Sequence, residues 1–222
     1  LERRYALFDG LNLTWETLEG LVKHNGPLID GEGNPHGYYR ERGLPEAIIE
    51  YAEAHDLQLA TYASAEAQVA AISDDIAYNA HDIDDGVRSG LLTLEQLQAV
   101  DLFESHRAEV LREYPDLAGR RVLYETIRRM LSAQVYDVIA ATQEAIHAAS
   151  PRSANEARRM GPLVQFSEAM RGQSAVLKRF LLANLYRHPQ VMHTTGQAKH
   201  MVRELFHAYR SDPRQMPAKF AD

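Results

Sequence analysis

Residues 64–90, SAEAQVAAISDDIAYNAHDIDDGVRSG, decide the fold that this sequence predicts, because two stripes of different character run along them. Apolar residues recur every three or four positions, which is the spacing of one face of an α-helix. A second stripe has the same spacing, is offset by two residues and is mostly acidic. The pattern predicts one long helix with a core-facing side and a polar side. The apolar stripe is Val69, Ile72, Ile76, Ala80, Ile83 and Val87, and the polar stripe is Asp74, Tyr78, Asp82 and Asp85.

Start and stop signals of helices recur along the rest of the chain. Ser64 is placed to cap the long helix and Gly90 to end it. Thr93 and Gln96 have the spacing of a capping box, which opens the next helix. No pair of segments alternates as strands do, so the sequence predicts an all-α protein. Helices are expected at about 13–23, 45–55, 64–90, 107–113, 119–149, 167–188 and 194–210, with a loop at 28–43 and an irregular connection at 153–165.

Composition and charge limit the class of protein. The 222 residues are 45% hydrophobic, enough for one sizeable core or for a domain with a smaller lobe. The absence of cysteine excludes disulfides and thiolate chemistry. The apolar runs are too short for a bilayer and no signal peptide is visible, so we expect a soluble, cytoplasmic protein without membrane contact.

The charge of the chain is unevenly spread. Residues 1–119 hold 8 Lys and Arg against 23 Asp and Glu, net −15, whereas residues 120–222 hold 16 against 8, net +8. Either the basic half faces an anion, or oppositely charged faces help lobes or subunits to associate. The overall net charge of −7 argues against a general nucleic-acid binder.

The acidic stripe has two interpretations. A stripe opposite the core is commonly solvated and charged. However, the large side chain of Tyr78 lies in the middle of the charged residues. In addition, Asp82 and Asp85 are three residues apart, so their like charges repel each other, and aspartate has a low helix propensity. A divalent cation would relieve that repulsion, and carboxylates are suitable ligands for one. The ten histidines are scattered without an HExxH pattern, and P-loop, GxGxxG and GxSxG motifs are absent, so the residues alone leave both interpretations open.

Two segments resemble a known family. GLNLTWETLEGLVKHNGP (10–27) and SDDIAYNAHDIDDGVRSGLL (73–92) are similar to the bacterial deoxyguanosinetriphosphate triphosphohydrolases, which are HD-superfamily dNTP triphosphohydrolases. Segments 120–139 and 177–191 fit the same family, so the resemblance spans most of the chain. It implies an HD-domain-like helical fold, with residues 1–118 as the C-terminal portion of the HD domain and 119–222 as an additional helical region.

The resemblance also implies a reaction and its partners. The expected activity is metal-dependent hydrolysis of a dNTP, dGTP-like, to the deoxynucleoside and inorganic triphosphate, with Mg²⁺, Mn²⁺ or a similar ion. Family members form homo-oligomers, and some are activated by an allosteric nucleotide. Two alternatives remain open: a non-catalytic nucleotide-binding or regulatory homologue, and a helical assembly module.

Residue roles follow from the same resemblance. Asp74 is the expected metal ligand, Tyr78 lies against the deoxyribose, and Asp82 accepts a hydrogen bond from the sugar 3′-hydroxyl. The family's first histidine and its His-Asp doublet precede the GLNLTWE segment, so the other ligands and the catalytic histidines are expected before Leu1. The His81-Asp82 pair is not that doublet. No catalytic residue is assigned in this chain, which is expected to be inactive by itself.

The remaining polar residues have less specific predictions. Lys23 is either a phosphate contact or a lysine that interacts with the dipole at its helix C-terminus. The carboxylates Asp75, Asp84 and Asp85 are expected behind the metal ligand or at the surface. The basic residues of the C-terminal half could contact phosphates, an allosteric nucleotide or another subunit, and the sequence does not choose among these. They include Arg128, Arg129, Lys178 and Arg179.

Overall fold

The computed structural model of the protein describes residues 12–217 and confirms the all-α prediction. Gly10 and Leu11, which begin the first family-like segment, lie outside the described residues. The only extended pairing within the described range is an isolated antiparallel bridge between Ile29 and Pro35. The helices are α1 (Trp15–Lys23), α2 (Glu46–Ala54), α3 (Ala65–Arg88), α4 (Leu94–Leu97), α5 (Asp101–Glu113), α6 (Arg120–Ala149), α7 (Ala154–Arg159), α8 (Glu168–Leu181) and α9 (Pro189–Ser211). Short 3₁₀ turns occupy Gly37–Tyr39 and Pro213–Gln215, and a π-helical turn occupies Leu182–Tyr186.

Helix α3 follows the predicted pattern, with one correction. The Ser64 hydroxyl accepts a hydrogen bond from the Ala67 backbone N–H at 3.2 Å and caps the helix as expected. The centre of the apolar stripe is buried, but Val69 is 48% exposed. In the first turns of α3, the side that carries Ala67 packs against α1. The contact is close: a Cβ added to Gly20 of α1 would lie 3.0 Å from the Ala67 Cβ. Val69 lies two residues, or about 200°, further round the helix.

The chain divides into two compact units. The first contains residues up to 80 and residues 127–172; the second contains residues 81–126 and those from 173 onward. Helices α3 and α6 each contribute to both units. The predicted domains, residues 1–118 and 119–222, stay a prediction. The two compact units are a different kind of division, because each of them combines segments that are distant in the sequence.

The first unit has its core where α3, α6 and the segment before α8 meet. Ile76, Val138, Val164 and Phe166 form a buried cluster, with Ile72, Leu131 and Met170 packed against it. The segment before α8 is held by polar contacts as well. Gln68 Oε1 accepts hydrogen bonds from the backbone N–H groups of Leu163 at 2.9 Å and Val164 at 3.1 Å.

The loop at 28–43 is organised around one carboxylate. Asp30 Oδ1 accepts hydrogen bonds from the backbone N–H groups of Glu32 and Asn34, each at 2.9 Å. These bonds lower the pKa of Asp30, the one from Asn34 most strongly. The His36 N–H donates to the Leu28 carbonyl at 2.7 Å and closes the loop, so the predicted loop is an ordered turn.

The second unit shows where local sequence signals succeed. The capping box is present: the Thr93 hydroxyl accepts from the Gln96 N–H at 3.2 Å, and the Gln96 side chain accepts from the Thr93 N–H at 2.9 Å. Helix α5 begins at Asp101, earlier than predicted. The core of this unit includes the buried residues Ile83, Leu97, Val100, Phe103, Val110, Leu177 and Leu181.

Two helices differ from the sequence expectation. Helix α7 lies in the segment predicted to be irregular, and Ser153 caps it by accepting from the Glu156 N–H at 3.2 Å. Helix α9 begins at Pro189 and not near residue 194, because proline is well suited to the first helical position. Helix α9 contains no buried residue. Among the helices of residues 12–217, none combines the length and apolar character that crossing a membrane requires.

Gly86 provides a test of packing in the second unit. A Cβ at this position would lie 2.6 Å from Cδ1 and 2.9 Å from Cγ of the buried Leu92. Alanine is normally a better helix former than glycine by about 1 kcal/mol, but overpacking a filled core costs about 1–3 kcal/mol. We expect Gly86→Ala to lower the free energy of unfolding by about 1–2 kcal/mol in urea denaturation.

Gly172 in α8 is the matched control, because no atom lies within 4 Å of a Cβ placed there. Gly172→Ala is expected to raise the free energy of unfolding by up to about 1 kcal/mol. Equal stabilisation by both substitutions would contradict the close packing at Gly86.

Candidate functional site

A cleft of about 420 Å³ opens in the first unit, where the end of α1, the middle of α3 and residues 162–164 come together. Two of the predicted site residues, Lys23 and Asp74, line it although they are far apart in the sequence. The lining is mixed: about half of the residues are apolar, and the polar ones provide both cationic and anionic groups. The cleft is lined by Lys23, His24, Asn25, Gly26, Tyr62, Ala63, Gln68, Ala71, Ile72, Asp74, Asp75, Pro162 and Val164.

Asp74 is an exposed carboxylate on the cleft side of α3. It makes no hydrogen bond or ion pair within the part of the chain that the structure describes. His24 lines the same cleft, and its ring is held by two contacts: Nδ1 lies 2.9 Å from the Leu21 carbonyl, and Nε2 lies 3.0 Å from the Asn25 amide nitrogen. A neutral ring with the proton on Nδ1 satisfies both contacts.

The cleft does not form a metal site by itself. Between residues 12 and 217, no group of three or more histidine and acidic side chains is placed to hold a metal ion. Asp74 therefore stands as one candidate ligand without the further ligands that such a site needs.

Lys23 is the most enclosed charged group of the cleft wall, with 1% of its surface exposed. Its Nζ lies 2.6 Å from Glu19 Oε2, donates to the Thr61 hydroxyl at 3.0 Å and reaches the Gln58 carbonyl at 3.4 Å. An ammonium group has three donors: two go to Thr61 and Gln58, and the group is also paired with the Glu19 carboxylate. A phosphate contact by Lys23 stays a prediction, and it would require a phosphate oxygen to replace one of these partners.

Glu19 joins Lys23 to a second cation. Arg158 of α7 donates to Glu19 Oε1 from Nε at 2.8 Å, and its Nη2 lies 2.7 Å from the same oxygen. Arg158 and Lys23 also lie over the Trp15 ring, 4.9 and 5.8 Å from its centre. We call Glu19, Lys23 and Arg158 the buried ion cluster, because all three are buried.

Burial and pairing act in opposite directions on this cluster. Burial opposes ionisation of Glu19, but the hydrogen bonds from Arg158 and Lys23 outweigh it, and the pKa of Glu19 is lowered. Burial lowers the pKa of Lys23 in spite of the attraction of Glu19. Two cations around one anion thus keep Glu19 ionised at neutral pH.

The other two predicted site residues do not line the cleft. Tyr78 is 59% exposed on α3 in the first unit. Asp82, one turn further along the helix, belongs to the second unit and accepts a hydrogen bond from the Tyr186 hydroxyl. Tyr186 lies in the π-helical turn, a feature that often occurs at functional sites. The sequence reasoning missed Tyr186, because no spacing rule links residues that are 104 positions apart.

Asp84 and Asp85, two further aspartates of α3, differ in their surroundings. Asp84 pairs with Arg88 at 2.6 Å, one turn away on α3, and lies 3.7 Å from Arg120. Asp85 is exposed. Asp85 therefore fits the surface role that was one of its predicted alternatives. In contrast, only 18% of the Asp84 side chain is exposed, and its Oδ1 is buried without a hydrogen-bond partner among the described residues.

Comparisons with known proteins place this geometry in a family context. A family model described as a phosphohydrolase-associated domain matches residues 164–222. A deoxyguanosinetriphosphate triphosphohydrolase-like protein of Bradyrhizobium diazoefficiens is 47% identical over 221 residues, which are 99% of this chain. Proteins with the same name are 49% identical over 219 residues in Azorhizobium caulinodans and 48% identical over 217 residues in Parvibaculum lavamentivorans.

The chain is a homologue of the deoxyguanosinetriphosphate triphosphohydrolase-like proteins. It spans about half the length of these relatives: 55% of the first two and 53% of the third. The matched portion is their C-terminal part. Within this homologue, the cleft with Asp74 and Lys23 is the strongest candidate for a functional site.

The buried ion cluster yields a stability prediction for this homologue. Glu19→Gln removes the anion and leaves two buried cations facing each other, and breaking a buried pair costs about 3–5 kcal/mol. We expect a loss of that size in the free energy of unfolding at pH 7, measured by denaturant titration. Glu16→Gln is the matched control on the exposed side of α1, with an expected loss below about 1 kcal/mol.

The same cluster sets a pH dependence. Because the folded pKa of Glu19 is lowered, its stabilisation is fully present above the unfolded pKa, near 4.3, and is lost as the pH falls through the folded pKa. The lowered pKa of Lys23 acts at the other end: stability rises as the pH increases through its folded pKa towards about 10.4. Thermal unfolding from pH 7 to pH 3 should show a smaller decrease for Glu19→Gln than for wild type. Parallel curves would contradict the role given to Glu19.

Proposed function

We propose that this chain forms the C-terminal part of a metal-dependent dNTP triphosphohydrolase that converts a dGTP-like substrate to the deoxynucleoside and inorganic triphosphate. The observation that carries the proposal is the carboxylate of Asp74, which has no partner within residues 12–217, on the wall of a cleft that also holds Lys23 and His24. A carboxylate beside cationic and imidazole groups suits a site for a metal and a polyphosphate. The names of the relatives support the choice of reaction.

Three residues of the polar stripe, Asp74, Tyr78 and Asp82, have a role in this proposal. Asp74 supplies one ligand to the divalent ion, and the remaining ligands come from outside residues 12–217. Tyr78 offers an exposed ring to the deoxyribose. Asp82 accepts from the sugar 3′-hydroxyl, and the Tyr186 hydroxyl fixes the orientation of its carboxylate. Since the described residues do not complete a metal site, these are binding roles.

Association into homo-oligomers belongs to the same proposal. Helix α9 supports it, because none of its residues is buried and several apolar ones are exposed. Exposed apolar surface of this kind is typical of protein interfaces. The exposed apolar residues of α9 include Met192, Met201, Val202, Leu205 and Phe206. We also expect activation by a second nucleotide, because the resemblance to the family implies it.

The role of Asp74 predicts a loss of activity. The full-length protein should release inorganic triphosphate from dGTP in the presence of Mg²⁺ or Mn²⁺, and Asp74→Ala should lower the rate at least about 100-fold, since even the outer partners of metal ligands are worth 10–100-fold. The 222-residue chain alone should release none.

Asp85→Ala is the matched control for Asp74→Ala, because Asp85 is an exposed aspartate of the same helix. It should keep activity close to that of wild type. Unchanged activity in Asp74→Ala would exclude Asp74 as a ligand, and triphosphate release by the 222-residue chain would contradict the division of the site.

The role of Asp82 predicts a change in substrate discrimination. A hydrogen bond to a charged group contributes about 1.5–3 kcal/mol, which is about 10- to 150-fold. The full-length protein should therefore prefer dGTP to 2′,3′-dideoxyGTP by that factor in kcat/KM, and Asp82→Ala should reduce the preference towards unity. Tyr186→Phe retains the carboxylate and should retain most of the preference. Equal preference in wild type and Asp82→Ala would show that Asp82 does not read the 3′-hydroxyl.

A further inference from the structure

A second cavity, of about 180 Å³, lies against the cleft in the first unit. The two cavities share one wall, made by His24, Asn25, Gly26 and Tyr62. The opposite wall of the smaller cavity is the 3₁₀ turn Gly37–Tyr39 with His36 before it. No residue of the polar stripe lines this cavity, so the roles proposed above leave it unexplained.

The wall formed by the turn is held in place by the loop that carries it. Asp30 organises residues 30–34, and the His36 N–H donates to the Leu28 carbonyl at 2.7 Å. The Tyr39 N–H in turn donates to the His36 carbonyl at 3.0 Å. An ordered backbone therefore positions the aromatic side chains before any ligand arrives, which lowers the entropy lost on binding.

Tyr38 is an unusual residue to hold in an ordered turn, because 69% of its surface is exposed. Its ring meets the ring of Tyr39 edge-on at 5.3 Å between centres. The guanidinium of Arg42 lies 4.3 Å from the centre of the Tyr38 ring. An exposed aromatic ring on an ordered turn is a stacking surface for a flat aromatic ligand, and Arg42 occupies one face of this ring.

The lining of the small cavity defines the chemistry of that ligand. Three tyrosines and two histidines, Tyr38, Tyr39, Tyr62, His24 and His36, line it together with the Asn25 amide. Among the described residues, no lysine, arginine or carboxylate lines it, so this lining suits a neutral ring with hydrogen-bond donors and acceptors. The charged groups that would attract phosphates and a metal, Lys23 and Asp74, line the adjoining cleft instead.

We propose that this cavity, the tyrosine pocket, binds the nucleobase of a nucleotide. Stacking on tyrosine supplies the affinity, and the histidine and asparagine side chains supply hydrogen-bond partners for the base edge. The choice of a nucleotide rests on the proposed function, and the base belongs either to the substrate or to a second nucleotide. Binding in this pocket does not require hydrolysis, so the inference can be tested separately from the proposed activity.

The first experiment uses the 222-residue chain with deoxyguanosine, which has no phosphate, and saturation-transfer NMR. The H8 proton of the base should receive magnetisation from the protein, and Tyr38→Ala should weaken deoxyguanosine binding about 10-fold or more. Tyr136→Ala is the matched control, because Tyr136 on α6 is also exposed, at 71%, and lies outside the pocket. It should leave the affinity unchanged.

Two results would overturn the inference: absence of transfer to deoxyguanosine, or equal weakening by Tyr38→Ala and Tyr136→Ala. His36→Ala provides a second variant on the same wall, and its affinity should also decrease. Loss of deoxyguanosine binding while the full-length protein still hydrolyses dGTP would reject the tyrosine pocket and leave the proposed function standing.

A second experiment identifies the source of the base. In the full-length protein, an increase of KM for dGTP in Tyr38→Ala assigns the pocket to the substrate. An unchanged KM together with loss of the effect of a second, non-hydrolysed nucleotide assigns it to an effector. If Tyr38→Ala changes neither quantity, the nucleobase site is refuted in the full-length protein.

Discussion

The ion pair between Glu19 and Lys23, completed by Arg158, is the interaction on which the rest of the first unit depends. Charges of this kind are stable in an interior only when each has its partners, because the desolvation of an unpaired ion is not compensated. Here one anion satisfies two cations, and Lys23 also reaches Thr61 and Gln58. The cluster thereby connects α1 to the segment before α3 and to α7.

Lys23 of this cluster is the last residue of α1, and the residues that follow it form the wall shared by both cavities. The residues directly after Lys23 are His24, Asn25 and Gly26, and all three line the cleft and the tyrosine pocket. Gly26 adopts a φ of +101°, which is unfavourable for residues with a side chain. The buried ion cluster therefore ends at Lys23, and the wall of both cavities begins at the next residue. A substitution in one of these two features is expected to affect the other.

The sequence predicted the features that depend on near neighbours. The Ser64 cap, the Thr93 capping box and the length of α3 follow rules that act over three or four residues, and the structure shows them. The short helix α7 was missed because its cap, Ser153, lies in a segment whose helical pattern is too short to recognise. The exposure of Val69 was missed because packing against α1 decides which side of the first turns is buried.

For the site, the limit of prediction has the same origin. Asp74 and Lys23 were each singled out, but only the fold shows that they line one cleft. The contacts of Glu19 with Arg158 and of Asp82 with Tyr186 join residues 139 and 104 positions apart, and no periodicity in a single sequence connects them. Which metal, base and partner the full-length protein uses depends in addition on residues beyond the half of the relatives' length that this chain covers.

Trp15, the only tryptophan of the chain, lies beside the buried ion cluster. Its indole N–H donates to the Asp56 carbonyl at 2.8 Å, and its ring faces Arg158 at 4.9 Å and Lys23 at 5.8 Å. The tryptophan fluorescence of the 222-residue chain therefore comes from a single place, where two positive charges lie near one indole. Any event that loosens α1, and with it the wall between the two cavities, changes the electric field at that ring and becomes visible as a shift in emission, so the molecule contains its own optical reporter of this region.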